Sequence, residues 1–316
     1  MTPSFKIAAA GLMLAALLGA AACSPEAQTA PGEAAAPAAP VSPDVSAVRI
    51  GSLEATALRD GTIKVPAGNA EMSPWTNTAE VSALLTAGGV TDGTVHLSIQ
   101  PLLVRDGERV VLIDAGAGGQ MGTEGKLIAS LRAAGVEPSQ VTDVLISHAH
   151  GDHVGGLVVA DGKLTFPNAV IRMSAPEWTF AQAGAAEAGA GALLAAITPK
   201  VEPFAPGAQV TPSIRAVPLA GHTPGHSGYE IVSGDDRLLY IGDAMHSSII
   251  SVERPEWRNI WDNDSAAAVA TRQGLLERGV SATQRIYGVH FPFPGVGRFQ
   301  RRDDGFVWVP EAPRQP

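Results

Sequence analysis

The spacing of apolar positions divides the chain beyond residue 46 into short strand-length runs separated by turns, with few helical stretches. Residues 48–58 alternate as one strand. Asp60-Gly61 marks a turn, and residues 62–65 are predicted to return as its hairpin partner. Residues 95–104 and 109–113 make a second pair, joined at Asp106-Gly107. Thr123 is expected to cap a helix over 124–134, with Leu127, Ile128 and Leu131 on one face and Gly135 as its stop. An apolar strand follows at 141–146. The second half repeats the theme: a strand at 170–173, a helix near 176–182, and a partly helical Ala/Gly-rich stretch over 181–196. Strands then fall at 214–219, 237–241 and 285–289. A helix capped by Asp264 or Ser265 runs to Arg278 before Gly279, and 305–309 closes the chain.

Strand pairs, a helix and a strand, repeated twice, predict an α/β chain of the α+β kind: an αββα sandwich of two mixed sheets with helices on both outer sides. Four of the strands end in a potential metal ligand: His148 to His153, His222, Asp243 and His290. Ligands at strand ends can converge on one edge of a sandwich, held by rigid backbone.

The first 46 residues read differently. Residues 1–23 carry Lys6, a short apolar run and then Ala20-Ala21-Ala22-Cys23, the signature of an export signal. Cys23, the single cysteine, follows small residues as in a bacterial lipobox, so an exported protein, periplasmic or membrane-anchored through a lipid on Cys23, is expected. Residues 24–46, rich in Ala and Pro without aromatics, read as a flexible tether, and residues 47–316 as one domain. With one cysteine, no disulfide can form within the chain. The formal net charge of −9 disfavours nucleic acid as a partner. The short basic cluster of Arg298, Arg301 and Arg302 sits beside Asp303-Asp304 and reads as a solvated hairpin.

The densest chemistry is Ser147-His148-Ala149-His150-Gly151-Asp152-His153, three imidazoles and a carboxylate within six residues. H-x-H-x-D-H is a two-metal pattern. Structural zinc favours four closed ligands, commonly cysteines, whereas this set is all nitrogen and oxygen and leaves open positions for catalysis. Together with Gly221-His222-Thr223-Pro224-Gly225-His226, Gly242-Asp243 and the strand-terminal His290, the chain resembles the metallo-β-lactamase-fold hydrolases. Within them it resembles the methyl parathion hydrolase-like branch, which is similar to quorum-quenching N-acyl homoserine lactone lactonases. Residues 51–62, 164–170 and Phe291-Pro292-Phe293-Pro294-Gly295 extend that likeness over nearly the whole domain.

The resemblance implies two divalent metal ions, most often zinc, with cobalt, manganese or iron open, and frequent homodimers. His148, His150 and His222 would hold one ion, and Asp152, His153 and His290 the other. Asp243 would bridge them, with a shared hydroxide attacking the substrate. Asp114 resembles the buried carboxylate that orients a ligand imidazole, and His226 is expected behind the ligands. Lactonases of this superfamily often carry Tyr three residues after the bridging Asp; here it is His246, able to contact substrate or donate a proton. Trp178, Phe291 and Phe293 are expected at the pocket mouth, suiting a small hydrophobic ester or lactone, with phosphotriesters as a promiscuous activity. A glyoxalase II-type thioesterase is the alternative enzyme, although no basic patch for its substrate is visible. A tethered metal- or ligand-binding protein of the same fold is the non-enzyme alternative.

Overall fold

A computed structural model describes residues 42–69, 71–184 and 190–312. The export signal and most of the tether lie outside them. The fold begins slightly earlier than expected, because Val45 and Ser46 already belong to the first strand.

The seven-stranded sheet contains β1 (Val45–Ile50), β2 (Leu53–Leu58), β5 (Leu102–Asp106), β6 (Arg109–Ile113), β7 (Asp143–Leu145), β8 (Val170–Ser174) and β9 (Val201–Phe204), in that order. Its first four strands are antiparallel; β6 to β9 run parallel. The six-stranded sheet runs β10 (Ile214–Pro218), β11 (Ser227–Ser233), β12 (Asp236–Tyr240), β13 (Arg285–Tyr287), β14 (Val296–Arg302) and β15 (Gly305–Pro310), with only β12 and β13 parallel. A separate ribbon pairs β3 (Gly61–Val65) with β4 (Val95–Ile99). The helices are α1 (Thr78–Ala87), α2 (Leu127–Ala133), α3 (Gly151–Val154), α4 (Ala175–Gly184), α5 (Gly191–Ile197), α6 (Ile250–Glu253) and α7 (Ser265–Ser281). Among the described residues, no helix is long and apolar enough to cross a membrane.

The side-chain period of two sorts the strands into layers. Val104, Val111, Ile113 and Leu145 of the first sheet meet Ile214, Ile231, Leu238 and Tyr240 of the second in a shared inner core. Their neighbours Leu103, Leu112 and Val144 point the other way, onto Leu127 and Leu131 of α2 and Leu194 of α5. Leu239 and Ile286 cover the outer face of the second sheet against Leu275 and Leu276 of α7. The four layers are helix, sheet, sheet, helix, as predicted from the element order.

Several local expectations give way. Residues 48–58 form two strands, because Gly51, at φ +54°, turns the chain back. Residues 62–65 pair with β4 and not with the strand before them. Residues 95–104 break at Gln100-Pro101, since proline has no N–H for the ladder. Thr123 caps nothing: Gly125 is at φ +64°, α2 starts at Leu127, and Glu124 instead accepts from the Thr62 N–H at 2.9 Å. Asp264 does cap α7, accepting from the N–H groups of Ala266 and Ala267. That helix runs past Gly279, whose bare face lies against Phe299.

Candidate metal centre

Each candidate ligand stands just beyond a strand, on the same edge of the sandwich. The loop after β7 supplies His148 and His150, and α3, which follows at once, supplies Asp152 and His153. His222 follows β10, Asp243 follows β12, and His290 follows β13. Two glycines permit these exits. Gly221, at φ +132°, lays its loop against α7, where a Cβ would stand 2.2 Å from the Ala268 nitrogen. Gly242, at φ +49°, leaves room for the His226 ring.

The seven residues converge into two groups sharing one carboxylate. His150 Nδ1 lies 3.0 Å from His148 Nε2 and 2.9 Å from His222 Nε2. On the other side, Asp243 Oδ1 is 3.1 Å from His153 Nε2 and 2.9 Å from His290 Nε2, and Asp152 Oδ2 is 3.6 Å from each of those two nitrogens. Asp243 Oδ2 turns back to His222 Nε2 at 3.4 Å and His148 Nε2 at 3.7 Å. Both trios, the second with Asp243, have donor atoms close enough to hold a metal ion.

The donor chemistry fits metal. His153 Nε2, His290 Nε2 and Asp243 Oδ1 are buried without a hydrogen-bond partner despite their proximity, because the angles are wrong for one. Orphaned polar atoms of this kind are costly unless something else satisfies them. Three facing imidazole nitrogens and a set of nitrogen and oxygen donors without thiolate suit zinc and its neighbours.

The electrostatics differ between the halves. Burial holds His148 well below the usual imidazole range, helped by His153, lowers His150 to about 4, and lowers His222 as well. These three are neutral near pH 7, with lone pairs available. Burial also opposes charge on His153 and His290, but the carboxylates of Asp243 and Asp152, joined by Asp114 at His153, outweigh it and raise both. Burial would raise Asp243 as well, yet His153, His290, His148 and His246 together hold it well below the carboxylate range.

A second layer of buried partners fixes the rings. Asp114 sits at φ +60°, and its carboxylate accepts from Ser147 N, Ser147 Oγ, His153 Nδ1 and Tyr240 Oη, each at 2.7 Å. His290 Nδ1 donates to the Ser98 carbonyl at 2.9 Å. His222 Nδ1 lies 3.3 Å from Asp262 Oδ1, and Asp262 Oδ2 accepts from the buried Arg272 guanidinium at 2.9 Å. His226 Nε2 accepts from the Asp243 N–H at 2.9 Å; burial pushes that imidazole down to about 3, so it stays a neutral acceptor. Glu177, fully buried on α4, accepts from Ala149 N at 2.9 Å, Thr223 Oγ1 at 2.6 Å and Gly225 N at 3.2 Å, tying the His148–His150 loop to the His222 loop.

The site opens into a cavity of about 470 Å³, walled by Ile63, Leu97, Met121, Ile260 and Trp261 and floored by the ligands. His246 also lines it, with Nε2 3.2 Å from Asp243 Oδ2 and its ring 4.9 Å from that of Trp261. The aromatics expected at the mouth stand elsewhere. Trp178 packs on the outer face of the first sheet. Phe291 is fully buried, edge-on to Trp308 at 4.8 Å. Phe293 joins the inner core under the Arg59 guanidinium. The turn after His290 points these rings inward, and Trp261, packed edge-on to Trp75 of a small core cluster, supplies an aromatic pocket wall. Glu177, Asp262 and Arg272 were not anticipated; nothing local in the sequence marks them as buried.

A two-sheet sandwich with a His/Asp cluster on one strand-end edge defines a metal-dependent hydrolase. The sequence profile of the Metallo-beta-lactamase superfamily matches residues 97–306, and the chain belongs to that superfamily. Among solved structures it is similar to AidC, a dizinc quorum-quenching lactonase in complex with a product, at 31% identity and TM-score 0.77, covering 85% of this chain and 97% of that one. It is also similar to the hydrolase AbOPH of the beta lactamase superfamily, at 29% identity and TM-score 0.77, covering 86% and 99%. A probable metal-dependent hydrolase from Staphylococcus aureus shares the fold at 18% identity and TM-score 0.68, covering 84% and 100%. A search of curated proteins returns no significant match.

Proposed function

We propose that this protein uses a dinuclear metal centre to hydrolyse a small hydrophobic ester or lactone. The observation that carries the reading is Asp243, whose two oxygens face two separate groups of buried imidazoles. His148, His150 and His222 would hold one ion, Asp152, His153 and His290 the other, and Asp243 both. When bound, two divalent cations supply Lewis-acid polarisation of the substrate oxygen and acidify a water for attack. The chain does the rest. Asp114, Asp262 and the Ser98 carbonyl fix the orientation of His153, His222 and His290. His246, on the cavity wall beside Asp243, is placed to contact the carbonyl or leaving oxygen of a bound substrate.

The cavity supports an uncharged substrate. Five apolar side chains wall it, and no Lys or Arg is among the described residues that line it. That disfavours the anionic thioesters of glyoxalase II-type enzymes. AidC, which binds a lactone-derived product, supports the lactone class. Phosphotriester turnover would be a promiscuous use of the same centre. The test is metals per chain and turnover of acyl homoserine lactones, aryl esters and methyl paraoxon by the wild type and by Asp243→Ala. About two metals with lactone or ester turnover that is lost in the variant is expected; wild type with less than one metal after supplementation refutes the reading. Export with a lipid on Cys23 is proposed from the leader, and the mass of the mature N-terminus tests it.

A further inference from the structure

Two cavities meet at the same two imidazoles. Besides the large one, a second of about 110 Å³ is also lined by His246 and His290 and lies beyond them, against the C-terminal end of α1 and the start of β4. Its other walls include Leu85, Val90, Val95, Ile249 and Pro292. We propose that this small cavity is a second substrate subsite, taking a short unbranched alkyl arm of the ester while the bulkier arm occupies the large cavity. The inference rests on the hydrolase reading above.

Position is the first argument. His246 and His290 are the residues common to both linings, and the Nε2 atoms of both face Asp243, at 3.2 and 2.9 Å. For a substrate whose scissile bond lies at Asp243, the large cavity is adjacent and the small one lies past these two rings. Their rings lie nearly parallel, 7° apart in plane with centroids at 5.8 Å.

Chemistry is the second. The walls are largely hydrocarbon; of the polar lining residues, His246 keeps a buried Nδ1 without a hydrogen-bond partner, and two others are engaged elsewhere. Ser247 Oγ already accepts from the N–H groups of Ile249 and Ile250. His96 is exposed and pairs with Asp92 at 3.1 Å. No carboxylate, Lys or Arg is among the described lining residues. With most of its wall apolar, such a space favours an alkyl group, since a polar arm would exchange its water for few partners.

Size is the third. A water's share of liquid is about 30 Å³ and a methylene's is similar, so the space holds about four carbons. Beyond Thr94, His96 and Pro292 the cavity opens to solvent, so a longer chain gains nothing further.

The metal-loaded protein should bind straight-chain carboxylates, the acid products of simple esters, about fourfold more tightly per methylene from acetate to about pentanoate, and then no more tightly. Calorimetric Kd values and KM for the matching aryl esters both read this. Thr94→Phe and Val90→Phe fill the cavity from half-buried rim positions. They should erase the preference for pentanoate over acetate. Val90→Ala should move the plateau one or two carbons longer, which covers the case in which a filled variant does not fold. Ile260→Ala, on the large cavity, should leave the carboxylate series unchanged. A pentanoate preference that survives Thr94→Phe, or that Ile260→Ala alone abolishes, overturns the subsite. A wild type without metal or ester turnover overturns the hydrolase reading and the subsite with it.

Discussion

Replacing Glu177 should loosen the metal centre without touching any ligand. Its carboxylate accepts three hydrogen bonds, from Ala149 N, Thr223 Oγ1 and Gly225 N, and so joins two loops that each carry ligands of the His148, His150 and His222 group. Burial raises its pKa by opposing its charge, so part of the gain from three donors is spent on desolvation. Hydrogen bonds to a charged acceptor contribute about 1.5–3 kcal/mol each, and a buried N–H left without a partner costs about 1–3 kcal/mol. Glu177→Ala strips the partner from two backbone N–H groups and a hydroxyl, for a loss of about 3–5 kcal/mol after that desolvation is recovered. In a domain of this size that is on the order of 10 °C in Tm. Glu177→Gln keeps one oxygen for Ala149 and can donate to Thr223, so only the Gly225 contact is lost, at about 1–2 kcal/mol. Thermal unfolding of the loaded protein gives the first number. Metal retained against a graded chelator should show the ion that His148, His150 and His222 are proposed to hold released first. A Glu177→Ala protein that melts within 2 °C of wild type and keeps both ions would refute the clamp.

Other perturbations follow from the same contacts. Arg272→Met should destabilise by about 3–5 kcal/mol, because it leaves Asp262 buried without its cation, and urea unfolding checks it. Removing metal by dialysis against chelator should lower stability by about 4 kcal/mol when the free ion had stood a thousandfold above its Kd, read as a concentration-dependent Tm. Asp60 tests pH linkage away from the centre: its oxygens accept from Ala117 N at 2.9 Å and Leu127 N at 3.0 Å, and burial raises its pKa above 3.8 despite those bonds. A raised folded pKa means that the folded state holds the proton longer, so wild type loses stability as pH rises from 3.8 through the folded value. Asp60→Asn should therefore be less stable than wild type by about 1–3 kcal/mol through its lost acceptor, with a gap that narrows as pH rises through that window. A gap that widens contradicts the sign.

What the sequence revealed and what it hid separate along a physical line. The layers were legible because burial on both faces writes near-continuous apolar runs into strands such as β6 and β7. The converging His and Asp residues were legible because each follows a strand directly, and strand ends fix position before any tertiary detail matters. The break at Gly51 leaves only a one-residue slip in the pattern, from Val48 and Ile50 to Leu53, Ala55 and Ala57, which a single bulged strand would also give. Helix α1 was missed because only Val81 and Leu85 are buried on it, too weak a stripe to register. The pocket aromatics failed for a different reason: a side chain's direction after a strand end depends on the turn, and the turn after His290 sends Phe291 into the core beside Trp308. The walls that do face the metal ligands, Ile63, Met121 and Ile260, lie far apart in the chain, and the last two are exposed. In a sequence, an exposed apolar residue is ordinary. Its meaning arises only when two such residues meet Ile63 over one carboxylate, and substrate selectivity is therefore written largely in loops whose sequence neighbours say nothing about it.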